Sequence, residues 1–371
     1  MVKIRDPLHG TVELTLLEER LLDSAPMQRL RGIRQLATAY LVYPGANHTR
    51  FEHSIGTLAL ADRICREAGV SDSSRPKLRA AALLHDVGHT AFSHEAEAVL
   101  CRHIGSHEQV GKRMIEKGEL GDILSSEFSR REIAELCGKP LGAIISFGIG
   151  ADRMDYLLRD SHYTGVAYGV IDSDRLCSSI AMMGGRPVLL ERGLEAAESL
   201  LVARFMMFRT VYLHKTARIA SRMLQQSICL AMESGELSPC FAIGMNDSGM
   251  FGFLSKTKAG GELARLVASR RLYKKACSLP ASKFQERRES IGKLEEELSD
   301  SCGCEVLLDV PHIPKSEGVP LEIGGKIRQL HEASELVLSL EGAEAQRLEV
   351  LVICEKKHVA KAARAAKRLL S

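Results

Sequence analysis

Seven of the thirteen histidines, His48, His53, His85, His89, His94, His103 and His107, fall within residues 48–107. Thirteen spread evenly over 371 residues would put about two in such a window. Imidazole is a common ligand for borderline divalent metals and the side chain best suited to proton transfer near neutral pH. A solvated surface explains any one of these residues. It explains the group poorly, because several lie inside otherwise apolar stretches. Such a concentration points to a metal or proton-transfer site that draws on some of these imidazoles.

The rest of the sequence reads as a mainly α, globular frame. Hydrophobic residues make up 45% and charged residues 26%, which argues against disorder, a collagen-like repeat or a coiled-coil rod. Fifty Lys and Arg against 47 Asp and Glu do not describe a protein built chiefly to coat nucleic acid. No apolar run of about 18 residues occurs, so no membrane span is expected. The start, MVKIRDPLHG, lacks the apolar core of a signal peptide. Ten scattered cysteines suit a reduced, cytoplasmic protein. Cys302-Gly303-Cys304 is the one close pair, and without a second pair it makes a poor zinc site.

Local patterns divide the chain. Residues 1–15 read as extended segments around the turn Asp6–Gly10. Asp23 or Ser24 is expected to cap a helix carrying Met27, Leu30, Ile33, Leu36 and Ala37, broken at Pro44-Gly45. Helices are expected over 52–67, 77–86, 93–100, 107–115 and 152–161, and one or two over 195–232. Alternation around Gly184-Gly185 predicts a β-hairpin over 178–191, and 246–261 reads as loop. Strands are expected at 305–309, 336–340 and 348–354, followed by a basic amphipathic helix over 358–370. The expected division is a core over 1–240 with its N-terminal extended segment, a helical extension over 241–300 and a small C-terminal α/β subdomain over 301–371.

His53, the pair His85-Asp86 and Asp152 carry the chemistry. Thirty-one residues separate His53 from His85, and 65 separate Asp86 from Asp152. Each falls on or at the end of an expected helix. Two imidazoles and two carboxylates suit one divalent transition metal (Mn, Fe, Co, Ni or Zn) better than calcium. Such a cation polarises phosphorus and lowers the pKa of bound water. Alone, His85-Asp86 would be read as nothing more than a helix end.

The segments AAALLHDVGHTAFSH (80–94), HTRFEH (48–53) and DRMDYLLRD (152–160) together resemble the HD-domain phosphohydrolases. Within that superfamily the chain is similar to the deoxynucleoside triphosphate triphosphohydrolases. These include prokaryotic dGTPase-like proteins and the HD domain of the mammalian enzyme that joins it to a sterile-alpha-motif domain. DPLHG, QRLRGIRQL, YPGA and HTRFEHSIG carry the similarity near the N-terminus, and the motifs extend over roughly residues 4–220. The resemblance implies an HD-domain helical bundle with a small β-hairpin and a C-terminal α/β appendage. It implies that His53, His85, Asp86 and Asp152 hold one metal. His107 would be the catalytic acid, oriented by Glu97, where the mammalian enzyme has Asp. Arg50, His89, His94 and Arg153 would contact phosphates, and Gln35, Leu36, Tyr156 and Asp160 the sugar and base. In MMFRTVYLHKTAR (206–218), which also carries Arg209, His214 and Lys215, Tyr212 would lie near the base, and Arg204, just ahead of this segment, would reach the terminal phosphate. Asp23, Gln28 and Arg31 match positions that read an effector nucleotide between subunits, which implies a homo-oligomer, dimer or tetramer.

The implied reaction releases triphosphate as one unit from a dNTP, with Mg riding on the polyphosphate. Three rival readings remain open: an HD hydrolase of a mono-, di-, cyclic or damaged nucleotide; a catalytically inactive nucleotide-sensing regulator; and a nucleic-acid-binding protein. The last would use the basic runs Arg265–Lys275 and Lys356–Arg368 on single strands.

Overall fold

The computed structural model describes residues 2–284, 291–311, 318–346 and 348–370. The extended segments expected around the first turn are β1 (Val2–Asp6) and β2 (Gly10–Leu14), paired as an antiparallel hairpin with Ile4 opposite Val12. One Asp6 oxygen accepts the amides of Leu8 and His9, each at 2.9 Å, and so fixes the turn. α1 (Leu16–Asp23) starts at Thr15. The Thr15 hydroxyl accepts the Glu18 amide and Glu18 reaches back to the Thr15 amide, a reciprocal cap.

The long helix expected after Ser24 does not form. α2 (Ala25–Arg29) ends in a single 3₁₀ turn, Leu30–Gly32. Distant partners claim the backbone beyond it. The Arg50 amide donates to the Ile33 carbonyl at 2.9 Å, the Gln35 amide to the His48 carbonyl at 3.0 Å, and the Arg34 amide to the Asp247 carboxylate at 3.1 Å. Met27, Leu30 and Ile33 are still fully buried, so the apolar spacing marks burial without a continuous helix.

α3 (Arg50–Glu67), α4 (Arg75–Leu84) and α10 (Ala151–Thr164) form the centre of the bundle. α3 is buried along most of its length, as a helix enclosed on all sides must be. Pro76 sits in the first turn of α4, where its missing N–H costs nothing. α5 (His94–Ile104) and α6 (His107–Glu116) follow, then the short α7 (Glu119–Leu124), α8 (Arg130–Leu136) and α9 (Ala143–Ser146). After α10 come α11 (Ser173–Ser178) and the expected hairpin of β3 (Ile180–Met183) and β4 (Arg186–Leu190). α12 (Leu194–Met207) passes through a π-helical turn, Phe208–Tyr212, into α13 (Lys215–Glu233).

α14 (Pro239–Ile243), α15 (Asp247–Leu254) and α16 (Gly261–Ala268) complete this part. Residues 247–254 are therefore helix, against the loop expected there. Asn246 caps α15 by accepting the Gly249 amide at 2.9 Å, and Met250 and Leu254 are buried. Packing outweighs the glycines that mimic a loop.

The remaining elements are β5 (Lys274–Pro280), α17 (Ile291–Cys302), β6 (Val306–Asp309), β7 (Pro320–Ile323), β8 (Lys326–Gln329), α18 (Leu330–Ala333), α19 (Glu335–Gln346), β9 (Glu349–Cys354) and α20 (Val359–Leu370). Residues 336–340 lie in α19, which corrects the expected strand. Short apolar runs do not distinguish strand from helix, and the Ser334 hydroxyl, accepting the Val337 amide at 3.2 Å, supports the helix start. β5, inside the segment read as helical extension, pairs with β9 in the sheet β5-β9-β6. Residues 320–346 return to the main bundle. β7 runs parallel to β4, with Leu321 opposite Leu189, and Val319, Leu321, Leu330 and Val337 join the core containing α3 and α10. Among the described residues no helix is long and apolar enough to cross a membrane.

Candidate active site

His53 lies one turn into α3, fully buried. Its Nδ1 donates to Asp155 at 2.7 Å, and its Nε2 lies 3.0 Å from Asp152 Oδ1 and 3.7 Å from Asp86 Oδ2. Burial alone would push the imidazole pKa down. The hydrogen bonds to Asp152 and Asp155 outweigh burial and raise it to about 10. His85 caps the end of α4. Its Nδ1 donates to the Ala82 carbonyl at 2.8 Å, which leaves Nε2 buried without a hydrogen-bond partner, 3.4 Å from Asp86 Oδ1 and 3.8 Å from Asp152 Oδ1. One ligand atom each from His53, His85 and Asp152 lie within 4.8 Å of one another.

This arrangement fits a divalent metal. Both imidazoles commit Nδ1 to a fixed acceptor and turn Nε2 inward, the usual outer support of a metal-bound histidine. The orphaned Nε2 of His85 lacks only a Lewis acid. Asp86 borders the cluster rather than joining it as an equal. Its Oδ2 is held by Arg50 Nη1, and its Oδ1 lies 3.4 Å from both His85 Nε2 and His89 Nε2. Burial would raise the Asp86 carboxyl, but His85 and Arg50 hold it well below the ordinary range.

A second cluster adjoins the first. Glu97, on α5, accepts three hydrogen bonds: from His94 Nδ1 at 3.0 Å, from His107 Nδ1 at 2.8 Å and from the His107 amide at 2.8 Å. Burial opposes the charge on Glu97, but these bonds hold its carboxyl far below the ordinary range. An ionised acceptor fixes the proton on His107 Nδ1 and leaves Nε2 for a reacting group. Ser106 sets this geometry, because its cap of α6 with Gln109 starts the helix at His107. His89 is 1% exposed and neither ring nitrogen has a hydrogen-bond partner. Burial, then Arg50, hold it well below 6.5 and neutral. Gly88 is required here: a Cβ would overlap the His107 carbonyl and the Gly111 backbone of α6.

The expected sugar and phosphate residues are distributed as follows. Asp160 is buried with both oxygens engaged, by His48 Nε2 at 2.7 Å and by the Tyr212 hydroxyl at 2.7 Å. Tyr156 meets Tyr212 edge to face, ring centroids 6.4 Å apart. Arg50 Nε donates to Ser93 at 2.7 Å, and Arg153 donates to the Gly148 carbonyl at 2.8 Å. Gln35 Oε1 is buried without a partner, and Leu36 packs against the main core. The π turn splits the expected basic helix face. Arg204 is buried over the Phe208 ring and Tyr212 faces Asp160, while Arg209 and Lys215 are exposed and His214 caps α13. A π turn changes which residues share a face, and such turns recur at functional sites. Asp23 is exposed at the end of α1, and Gln28 accepts from Arg31 Nε at 2.8 Å. Cys302 and Cys304 are free thiols and belong to neither metal-competent cluster among the described residues.

Sequence reasoning missed several supporting residues. Asp155 and Arg159 form a buried pair beneath His53, and their spacing from Asp152 and Asp160 was a readable signal, since all lie on one α10 segment. Arg29 Nη2 and Nη1 donate to the carbonyls of Val87 at 2.8 Å and His89 at 2.7 Å, fixing the loop after Asp86. Asp247 accepts the Phe92 amide at 2.8 Å, and no sequence spacing announced it.

Residues 50–160 match the HD domain family, and residues 171–371 match the family described as HD associated region. An uncharacterized protein of Methanocaldococcus jannaschii is 35% identical over 97% of this chain and 80% of its own length. A hypothetical protein from Aquifex aeolicus superposes with a TM-score of 0.80 at 32% identity, covering 98% of this chain and 99% of that one. The deoxynucleoside triphosphate triphosphohydrolase SAMHD1 homolog of Dictyostelium discoideum is 30% identical over 58% of this chain. That match spans 46% of the slime-mould protein, about half its length. With its metal-competent His/Asp cluster at the junction of α3, α4 and α10, the chain belongs to the HD-domain phosphohydrolase superfamily.

Proposed function

We propose that this protein hydrolyses deoxynucleoside triphosphates to deoxynucleoside and triphosphate. The carrying observation is the continuity of the two clusters. Asp86 borders the His53–His85–Asp152 trio and reaches His89, whose ring lies 3.9 Å from that of His107. His53, His85, Asp152 and Asp86 would hold one divalent transition metal, which supplies Lewis-acid polarisation of a phosphoryl oxygen and a lowered pKa for water. Mg would accompany the polyphosphate.

The chain's own residues supply the rest. His107 Nε2 delivers a proton to the departing 5′-oxygen, while Glu97 holds the Nδ1 proton and stabilises the imidazolium. Arg50, His94 and Arg153 offer donors to the phosphates, and neutral His89 offers one more without adding charge. Asp160 and Tyr212 present a fixed polar edge to the sugar, with Tyr156 beside them. The similarity to the slime-mould triphosphohydrolase supports this choice of substrate.

The test is a panel of ribo- and deoxynucleotides, with the released anion identified by ion chromatography. Triphosphate from dNTPs supports the reading. Pyrophosphate or phosphate, or turnover only of mono-, di- or cyclic nucleotides, replaces it with another hydrolase. Binding of metal and nucleotide with no turnover replaces it with a sensing role.

A further inference from the structure

The N-terminal turn reaches the metal cluster through two hydrogen bonds. His9 Nε2 lies 2.6 Å from Asp155 Oδ1, and Asp155 Oδ2 accepts His53 Nδ1 at 2.7 Å. Arg159 grips the same carboxylate from one turn further along α10, with Nε 2.9 Å from Oδ2 and Nη2 2.9 Å from Oδ1. Arg159 Nη2 is also 3.0 Å from Asp6 Oδ2, and the other Asp6 oxygen holds the His9 amide at 2.9 Å. The ring Asp6–His9–Asp155–Arg159 is therefore closed. Asp155 and Arg159 are completely buried and Asp6 is nearly so. Gly56 of α3 makes the space, since a Cβ there would overlap Asp155 and Arg159.

We propose that His9 is a positioning residue for the metal centre: with Asp6 and Arg159 it locks Asp155, which fixes the tautomer and aim of His53. An imidazole ring pivots about its Cα–Cβ–Cγ bonds, and one Nδ1 hydrogen bond restrains that pivot only as firmly as its acceptor is held. Asp155 accepts from the His53 ring, from His9 and from two guanidinium nitrogens, so rotation of its carboxylate breaks several bonds at once. His9 belongs to a separate hairpin, so its contact ties β1–β2 to the ligand on α3. Outer partners of metal-bound histidines typically contribute about 10- to 100-fold in metal affinity.

This inference rests on the HD-family metal reading and not on the choice of nucleotide. It predicts that removing His9 loosens metal even where no substrate is present. The experiment uses Co(II) as probe with the full chain, reading affinity by chelator competition and ligand geometry from the visible d–d bands. Thermal unfolding of the metal-free proteins is measured in parallel. His9→Ala is expected to weaken Co(II) by about 10-fold and to broaden or shift the bands. His9→Gln, whose amide can donate to Asp155, is expected to recover much of the loss. Asp155→Asn is expected to fall at the strong end, about 100-fold. Arg63→Ala serves as the control. Arg63 lines the same groove of about 660 Å³ as His9, and its ion pair is with Asp174. It is expected to bind Co(II) as the parent does.

Parental affinity and spectrum in His9→Ala overturn the proposal. So does a loss of thermal stability with the Co(II) site unchanged, which would make the turn a fold support only. A loss in His9→Ala matched by Arg63→Ala also overturns it. If the Co(II) results come out as expected but no dNTP is hydrolysed, the function proposed above fails and the positioning role stands. If the parent protein takes up no divalent metal, both fail.

Discussion

His89 lies flat on His107, ring centroids 3.9 Å apart and planes inclined by 12°. Two imidazolium ions stacked in this way would repel at close range. Burial and Arg50 keep His89 neutral, so the stack sets no second charge against the His107 ring, which Glu97 holds through Nδ1. The pair also joins the metal-competent cluster to His107, because His89 Nε2 faces Asp86 Oδ1 at 3.4 Å.

Removing His107 should therefore separate chemistry from binding. His107→Ala is expected to retain metal and nucleotide while kcat falls by about 10²- to 10⁴-fold. Metal analysis, nucleotide binding and single-turnover rates on one preparation check this. A variant that also loses metal would place His107 among the ligands instead.

Loss of a proposed ligand should remove metal and activity together. His85→Ala is expected to lower metal affinity by more than about 100-fold, beyond the typical cost of an outer partner. The check is metal content after dialysis, followed by turnover with added metal. Activity persisting in protein that carries no metal would refute the assignment.

His53 sets a pH signature. Its pKa in the metal-free protein is raised from 6.5 to about 10. A raised value means that the protonated group stabilises the fold fully below 6.5 and that this contribution is lost as pH climbs through 10. Metal must displace the same proton. Affinity is therefore expected to rise by about tenfold per pH unit across that window, up to one proton released per metal. Calorimetry in buffers of different ionisation enthalpy counts the proton, and melting of chelated protein from pH 6.5 to 10 reads the falling stability.

Asp160 faces two donors, His48 and Tyr212, so its orientation is fixed before any ligand arrives. Asp160→Ala is expected to blur discrimination between deoxy- and ribonucleotides, and Tyr212→Phe to weaken it less. Competition between dNTP and NTP, expressed as a ratio of kcat/KM, decides this. An unchanged ratio removes Asp160 from sugar recognition.

Leu321, on β7, is fully buried in the main core although it lies in the C-terminal third of the chain. Leu321→Ala is expected to cost about 2–5 kcal/mol. Denaturant unfolding checks it. A cost under about 1 kcal/mol would show that residues 320–346 contribute little to the bundle.

Where the chain's local chemistry dominates, the sequence was legible. The Asp6 turn, the start of α6 at residue 107 and the Gly184-Gly185 hairpin each depend on neighbours within a few residues. His53, His85 and Asp152 stood out because such residue types seldom recur at helix ends inside apolar stretches without a task. Misreadings arose where distant groups decide. Residues 33–35 leave the helix because His48, Arg50 and Asp247 take their backbone groups. Asp247 itself, more than 150 residues from the Phe92 amide that it accepts, left no trace in spacing.

Composition and motif thus determined that this chain is mainly helical and singled out His53, His85 and Asp152, which the fold brings together. Only the tertiary structure decided that Asp86 turns one oxygen to Arg50, that Asp160 is held from both sides, and that the first hairpin braces His53. The physical reason is that a side chain's donors and acceptors choose partners in space. Periodicity reports which face is buried, but it carries no information about what lies opposite that face.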